Sequence, residues 1–343
     1  MSTTRNGVLA GGNWILDYLK IVDVYPQEDT LANILEEAIC NGGSPYNLLV
    51  DLAKLGANFP LEAIGLLGDD DAGEMIRANC AKHGILSHQL VATQKAPTSY
   101  TVVMSVKNTG RRTFFHHRGS NALLGEEQFD FSASRAKIFH LGYLMLLDQL
   151  DRAHADGTVA AHVLKEAQNA GLLTSIDLVS EEASRFEPVV LPALKYCDFC
   201  FMNEVEAERA TGIPLRLEGK LLWSYLHRAA QILLEQGVKR WVFVHFPEGA
   251  FALGGKGQPL VQASVLVPKS RIKSVVGSGD AFAAGVLYGL HEARPIEECL
   301  EYGVAAAATC ITDHTTSEGI LPLKECLSLA KRYGFGAVPE LAL

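Results

Sequence analysis

No dense cluster of lysine or arginine occurs in this chain. Its 30 basic residues are outnumbered by 39 acidic ones, giving a formal charge of −9. Nucleic-acid binding leaves a basic patch or stripe, so nucleic acid is excluded as a principal partner. Nowhere do the roughly 18 consecutive apolar residues of a membrane-spanning helix appear. The apolar stretch after Arg5 is short and soon carries Asp17, so no secretory signal is expected either. Cysteines are few: seven, an odd number, scattered through 343 residues. A chain this long needs no disulfide staples, which predicts reduced thiols and a cytoplasmic setting. Cys197 and Cys200 form a C-x-x-C, but no second pair follows at zinc-ribbon spacing, so core thiols are the expected reading. Internal repeats and low-complexity tracts are absent. So is a G-x-G-x-x-G after the first apolar run, which argues against a dinucleotide-dependent oxidoreductase.

What the chain does contain is apolar residues, 48% of the total, in alternating strand-like and helix-like runs. The strand-like runs are 7–10, 61–67, 137–141, 172–178, 198–202 and 240–246. The helix-like ones are 47–55, 72–83, 156–170, 204–211, 222–236, 281–291, 296–312 and 323–333. Such alternation predicts an α/β fold with a mostly parallel central sheet and helices on both faces. Two β-runs, 99–107 and 111–117, break the pattern. Asn108-Thr109-Gly110 between them is a hairpin turn signal. A lone hairpin cannot bury both faces, so it is expected to pair with strand material near 14–24 as a small lid or dimer surface.

The candidate chemistry is carried by short polar motifs at the ends of apolar runs. Val275-Val276-Gly277-Ser278-Gly279-Asp280 precedes a helical run. Glycines let main-chain N–H groups approach an anion, the helix end favours negative charge there, and Asp280 stands where it could take a proton from a nucleophile. The competing reading is an Asp cap after a glycine turn. Gly42-Gly43 leads into a helix bearing Asn47, an arrangement suited to a small polar ligand. Asp17 follows the first strand, where a carboxylate can grip paired sugar hydroxyls. Asn203-Glu204-Val205-Glu206 starts a helix straight after an apolar strand. That places Asn203 to meet phosphates and Glu206 to meet hydrated Mg²⁺, or both simply to cap the helix. Asp69-Asp70-Asp71 reads as capping for the helix that follows, not as a metal site.

Taken in order, GG…N, G-x-x-G-D…G, N-x-x-E and G-x-G-D resemble the signatures of the ribokinase-like, or PfkB-type, carbohydrate kinases. The stretch NGGSPYNLLVDLAKLGANFPLEAIGLLGDDDAG is similar to that family's first signature and VVGSGDAFAAGV to its second. The resemblance runs from about Gly7 to Ala330. It implies a single ribokinase-like domain over 1–343, a three-layer α/β/α sandwich with a small β-lid from about 13–25 and 99–118. It also implies ATP-dependent phosphorylation of a hydroxyl on a small ribose- or fructose-like sugar. Asp280 would then be the general base and Gly277, Ser278 and Gly279 the anion hole. Asp17, Gly42, Gly43 and Asn47 would hold the acceptor. Asn203, Glu206, His245 and Gly249 would serve the nucleotide, with Glu206 reaching Mg²⁺ through water. A homodimer through the lid fits the same picture.

Two segments depart from the family pattern. The second signature usually opens with Asp-Thr; here Ser274 and Val275 stand in those places, which puts dependence on a monovalent cation in question. Where T-x-G-x-x-G is common, the chain reads His245-Phe246-Pro247-Glu248-Gly249, and Pro247 offers no N–H. These departures leave two alternatives beside the sugar kinase. One is a nucleoside kinase, with Trp14, Tyr46 and Phe115 as candidates for stacking on a base. The other is a sugar-binding protein with impaired use of ATP.

Overall fold

A computed structural model describes residues 5–179, 185–255 and 257–338. The elements in chain order are strands β1 (Val8–Gly12), β2 (Ile15–Val22) and β3 (Ile34–Gly42), helix α1 (Ser44–Leu55), β4 (Leu61–Gly68), α2 (Asp71–Lys82), β5 (Leu86–Thr93), β6 (Tyr100–Val106), β7 (Arg112–His117) and β8 (Ile138–Leu144). A two-residue hairpin, β9 (Ala153–His154) and β10 (Gly157–Thr158), leads to α3 (Val159–Asn169), β11 (Leu173–Leu178), α4 (Phe186–Leu194), β12 (Phe199–Asn203) and α5 (Glu204–Thr211). A second small hairpin, β13 (Arg216–Leu217) and β14 (Lys220–Leu221), precedes α6 (Trp223–Glu235), β15 (Trp241–Phe246), β16 (Gly249–Gly254) and β17 (Leu260–Ala263). Helices α7 (Ser278–His291), α8 (Ile296–Cys310) and α9 (Leu323–Tyr333) complete the order.

Nine strands form the central sheet in the order β17-β16-β15-β12-β11-β8-β1-β4-β5. The seven from β15 to β5 are parallel; β16 and β17 run antiparallel at one edge. The inner strands are apolar on both faces, because a parallel sheet covered by helices on both sides has no solvent face. Side chains alternate between two cores as the pleat requires. Val8, Ala10, Phe199, Phe201 and Phe243 join the layer of α1, α7, α8 and α9. Leu9, Cys200, Met202, Val242 and Val244 join the layer of α3, α4 and α6. Cys197 and Cys200 are buried in that second core. The result is a three-layer α/β/α sandwich.

A second, four-stranded sheet stands apart, in the order β3-β2-β6-β7. β6 and β7 form the hairpin expected around Asn108–Gly110, and β2 pairs with β6 in parallel. β3 had no counterpart in the sequence reading. Its ILEEAICNG is mostly exposed, so it lacks the apolar signature of a buried strand. α4, β5, β16 and β17 likewise went without a predicted element. α4 carries an internal Pro192, which reads as a break.

Two helix starts differ from expectation in a way that matters for the site. α7 begins at Ser278, so Asp280 lies inside its first turn, and α1 begins at Ser44, so Asn47 lies in its first turn. Among the described residues no helix is long and apolar enough to cross a membrane.

Candidate active site

The carboxyl ends of the parallel strands, where β1 and β8 diverge toward opposite edges, open onto a cleft of about 540 Å³. Crevices at this position in open parallel sheets are the usual ligand sites. The N-terminus of α7 forms the floor. Gly277 precedes the helix with φ +80, and a Cβ there would lie 2.6 Å from Thr316 O, so the turn requires glycine on both counts. The first intrahelical bond runs from Ala281 N–H to Gly277 O, 2.8 Å. The N–H groups of Gly279 and Asp280 therefore precede the intrahelical ladder and are left for capping or an anion.

Asp280 is buried, and its carboxylate is held from two sides. Asn47 Nδ2 donates to Oδ2 at 2.7 Å. The Tyr143 hydroxyl reaches both oxygens at 2.9 Å. Burial pushes the Asp280 carboxyl above its ordinary range, while donors from Asn47 and Tyr143 pull the other way. Asn47 is itself fixed, its Oδ1 accepting from Asn41 Nδ2 at 2.7 Å. Tyr143 N–H donates to Asn13 Oδ1, which anchors the tyrosine to the end of β1.

Behind Asp280 lies a polar layer that motif reading missed. Burial, and next the Asp280 and Glu206 charges, raise the Asp177 carboxyl well above the carboxylate range. Two buried acids that disfavour each other's charge favour one shared proton. Ser44 Oγ lies 3.2 Å from Asp177 Oδ2 and 2.9 Å from His140 Nε2, and His140 Nδ1 meets Ser175 Oγ at 3.0 Å. Burial lowers the His140 imidazole to about 3, so it works as a neutral link in this chain. Tyr143, Asp177 and His140 belong to no motif. The available signal was position: each is a polar residue in or just beyond the carboxyl half of an apolar strand, where parallel-sheet sites gather.

The small four-stranded sheet supplies one half of the cleft: Ile15, Asp17, Thr101, Phe114 and His116. Desolvation raises the Asp17 carboxyl to about 7, with the Thr101 hydroxyl opposing. His116 is lowered to about 4, chiefly by burial, so its ring is neutral near pH 7. Gly43 and Asn47 line this half. Gly42 does not; its part is to leave room, since a Cβ there would run into the Asp17 carboxylate.

Asn203, Glu206, His245, Val275 and Ser278 line the other half. Asn203 Oδ1 accepts from Val205 N–H and Glu206 N–H, each at 2.9 Å, and Glu206 Oε2 accepts from Asn203 N–H at 2.9 Å. That is a capping box, so the helix-capping reading is correct at the same time as both residues face the cleft. His245 packs on Gly279, and burial lowers it to about 4.

Four sequence expectations are corrected here. Gly249 does not line the cleft: it opens β16 at φ +155, and a Cβ would collide with Gln262 O, so its glycine serves sheet packing. Trp14 and Tyr46 are buried against each other, their rings 5.2 Å apart, with Trp14 Nε1 donating to Ile64 O at 2.9 Å. Neither is open to a base. Phe115 lies outside the cleft, and its neighbour Phe114 lines it, because successive residues of β7 alternate in direction. Asp70, meanwhile, caps α2 through Gly73 N–H at 2.8 Å, as expected for one of the three consecutive acids. Ser274, in the place of the family's cation-binding Asp, is buried, with its Oγ accepting from Val276 N–H at 3.0 Å.

A buried carboxylate beside helix-start amides that precede the intrahelical ladder, in a cleft flanked by the small sheet, is an arrangement suited to phosphoryl transfer of the kinase class. The particular kinase family follows from comparison. The sequence profile of the pfkB family of carbohydrate kinases matches residues 20–323, and the chain belongs to that family. Fructokinase-2 of Oryza sativa subsp. japonica is 26% identical over 311 residues, covering 84% of this chain and 83% of that one. Among solved structures, Arabidopsis thaliana ribokinase complexed with ribose and ATP superposes with a TM-score of 0.78 at 23% identity, covering 95% of this chain and 99% of that chain. A nucleoside kinase of the ribokinase family from Methanocaldococcus jannaschii gives 0.74 at 18% identity, covering 95% and 98%. The protein is thus a carbohydrate kinase with the ribokinase fold.

Proposed function

We propose that the chain transfers the γ-phosphoryl group of ATP to a hydroxyl of a ribose- or fructose-like sugar bound under the lid. The observation that carries this reading is the Asp280 carboxylate, gripped by Asn47 and Tyr143 at the start of α7. An acid so placed is desolvated enough to be basic, yet its donors keep it ionised. Asp17 and Asn47 orient the acceptor hydroxyls, and Asp280 takes the proton as the oxygen attacks phosphorus. Main-chain N–H groups at 277–279 oppose the charge developing on the phosphoryl oxygens. The lid strands keep water from competing for the transferred group.

The donor set fits Mg²⁺ as a partner of the nucleotide. Glu206 offers a hard oxygen ligand within the cleft and would hold the ion through water. Bound there, Mg²⁺ would neutralise phosphate charge. A neutral His245 and the amide of Asn203 are the polar groups available to phosphate oxygens on that side. The same reading includes a homodimer through the lid, supported by exposed Ile34, Leu35, Ile39 and Phe115, and sedimentation of the purified chain tests it.

Phe114 favours a second reading. It lines the acceptor half and is 54% exposed, so it can stack on a nucleobase as well as on a sugar ring. A panel of ribose, fructose, related sugars and adenosine, each with ATP and Mg²⁺, separates the two by acceptor-dependent ADP release. Release with a sugar that vanishes in Asp280→Asn is the expected result. Release with adenosine alone would replace the sugar reading by the nucleoside one. Sugar affinity without release would return the chain to sugar binding with impaired ATP use.

A further inference from the structure

Outside the cleft, on the face covered by α3, a 3₁₀ turn (Glu126–Gln128), the β9–β10 hairpin and α3 bring Glu126, His154 and His162 together. We propose that these three side chains form a binding site for a transition-metal dication of the zinc type. One ligand atom from each lies within 4.8 Å of the other two.

The geometry favours a metal over a set of ion pairs. His162 Nδ1 is 2.8 Å from Asp156 Oδ2, and Asp156 Oδ1 in turn accepts from Lys165 Nζ at 2.7 Å. With its proton on Nδ1 committed to that carboxylate, His162 presents the lone pair of Nε2. This is the carboxylate–histidine arrangement that orients metal-ligating imidazoles. Nε2 points at Glu126 Oε2 across 3.7 Å. That gap is too long for a hydrogen bond. It suits two ligands each about 2.0–2.2 Å from one ion. The His154 ring lies beside that of His162, centroids 4.4 Å apart and tilted by 40°, so the two rings are not simply stacked. His154 Nδ1 accepts from Asp156 N–H at 3.2 Å and lies 3.7 Å from Asp156 Oδ2, long contacts that a metal can displace. Two imidazoles and a carboxylate are a ligand set that zinc accepts, with water or a further carboxylate in the fourth position.

Such an ion would clasp the turn at Glu126 to two neighbouring segments, the β9–β10 hairpin and α3. One of them leads back to the catalytic cleft. From the β9–β10 hairpin the chain runs to Asp151, whose carboxylate accepts from Met145 N–H at 3.1 Å and Leu147 N–H at 3.3 Å, and then to Tyr143 beside Asp280. The clasp therefore steadies the segment that carries Tyr143.

The test titrates Zn²⁺ alone into the metal-stripped full-length protein, followed by calorimetry and by thermal unfolding, with Co²⁺ absorption as the coordination readout. The expected result is one equivalent bound, a raised unfolding midpoint and a tetrahedral Co²⁺ spectrum. His154→Ala/His162→Ala should weaken binding by at least about tenfold and abolish the midpoint shift. Glu126→Gln should weaken binding less. Kinase activity of the zinc-free double variant, assayed with ATP and Mg²⁺, should match that of the zinc-free wild type. Absence of binding to the wild type at zinc concentrations of order 0.1 mM would overturn the proposal, and so would unchanged affinity in the double variant, which would assign the ion to cysteines or to the acids of the cleft.

Discussion

The two halves of the cleft are built on different principles. On the Asp280 side the polar groups described above are tied to one another and, apart from half-buried Tyr143, buried: Asn41 to Asn47 to Asp280, Tyr143 to Asp280, and Ser175 through His140 and Ser44 to Asp177. On the nucleotide side, Val275 is 67% exposed and the rim is fastened by ion pairs nearer the surface, Arg216 to Glu204 at 3.0 Å and to Glu248 at 2.7 Å. Buried networks fix geometry because an unmade hydrogen bond there is costly, whereas exposed pairs contribute little. On the proposed reading, the base is preorganised and the rim is left adaptable to incoming phosphates.

Breaking the buried side should have the largest effect. Asp280→Asn keeps the shape but cannot accept the proton, and kcat should fall by at least about 10²–10⁴-fold with the unfolding midpoint maintained. A folded variant with near-normal turnover would remove Asp280 from the mechanism. Next comes the floor. Gly277→Val places a side chain at φ +80 against Thr316 and should cost about 10²-fold or more in kcat through misplaced amides.

The shared proton gives a sharper contrast. Asp280 works ionised, so kcat should decline as pH falls through its raised pKa. Asp17 at about 7 adds a decline in kcat/KM below neutrality. Burial and the Asp280 and Glu206 charges raise the Asp177 carboxyl well above its ordinary range, which favours its protonated form beside Asp280. Asp177→Asn preserves a donor and should keep kcat within about threefold, while Asp177→Leu should move the acidic limb of kcat to higher pH. Equal profiles for the two variants would show that no proton is shared. Ser278→Ala, on the rim, marks the small end of the scale. Among the described residues the Ser278 hydroxyl bonds Val275 O alone, and its main-chain N–H survives, so kcat and KM should barely change.

A further prediction concerns stability. Asp51, one turn along α1 from Asn47, is fully buried, and neither carboxylate oxygen has a hydrogen-bond partner among the described residues. Burial raises its carboxyl well above the ordinary range. An acid whose pKa rises on folding binds more protons folded than unfolded, so it lowers stability as pH climbs above the unfolded value. Asp51→Leu should therefore stabilise the protein, by about 1–3 kcal/mol, and by more at pH 8 than at pH 5. Urea unfolding at the two pH values measures this. A gain independent of pH would mean that the carboxylate is not the cause.

The comparison also explains what could be read without coordinates. Gly277–Asp280, Asn203 and Glu206, Gly43 and Asn47 lie in short polar motifs at the junctions of apolar runs, and such junctions survive as local patterns. Asp17 and the lid hairpin were legible from position and turn chemistry. Tyr143, Asp177, His140 and Ser44 were not. Each is a single residue, and what unites them is adjacency across β8, β11 and α1, which only folding creates. Gly249 misled for the opposite reason. A glycine near a family motif looked like a phosphate contact, but sheet packing against Gln262 explains it.

On the proposed reading, selection of the acceptor falls to the small sheet. Phe114 and His116 sit two residues apart on β7, facing the acceptor across a sheet that shares no strand with the catalytic floor. Acceptor preference can thus be rewritten by exchanging alternate side chains on one hairpin, leaving the proton-handling machinery as it stands. A scaffold divided in this way can diversify its diet of alcohols without relearning its chemistry.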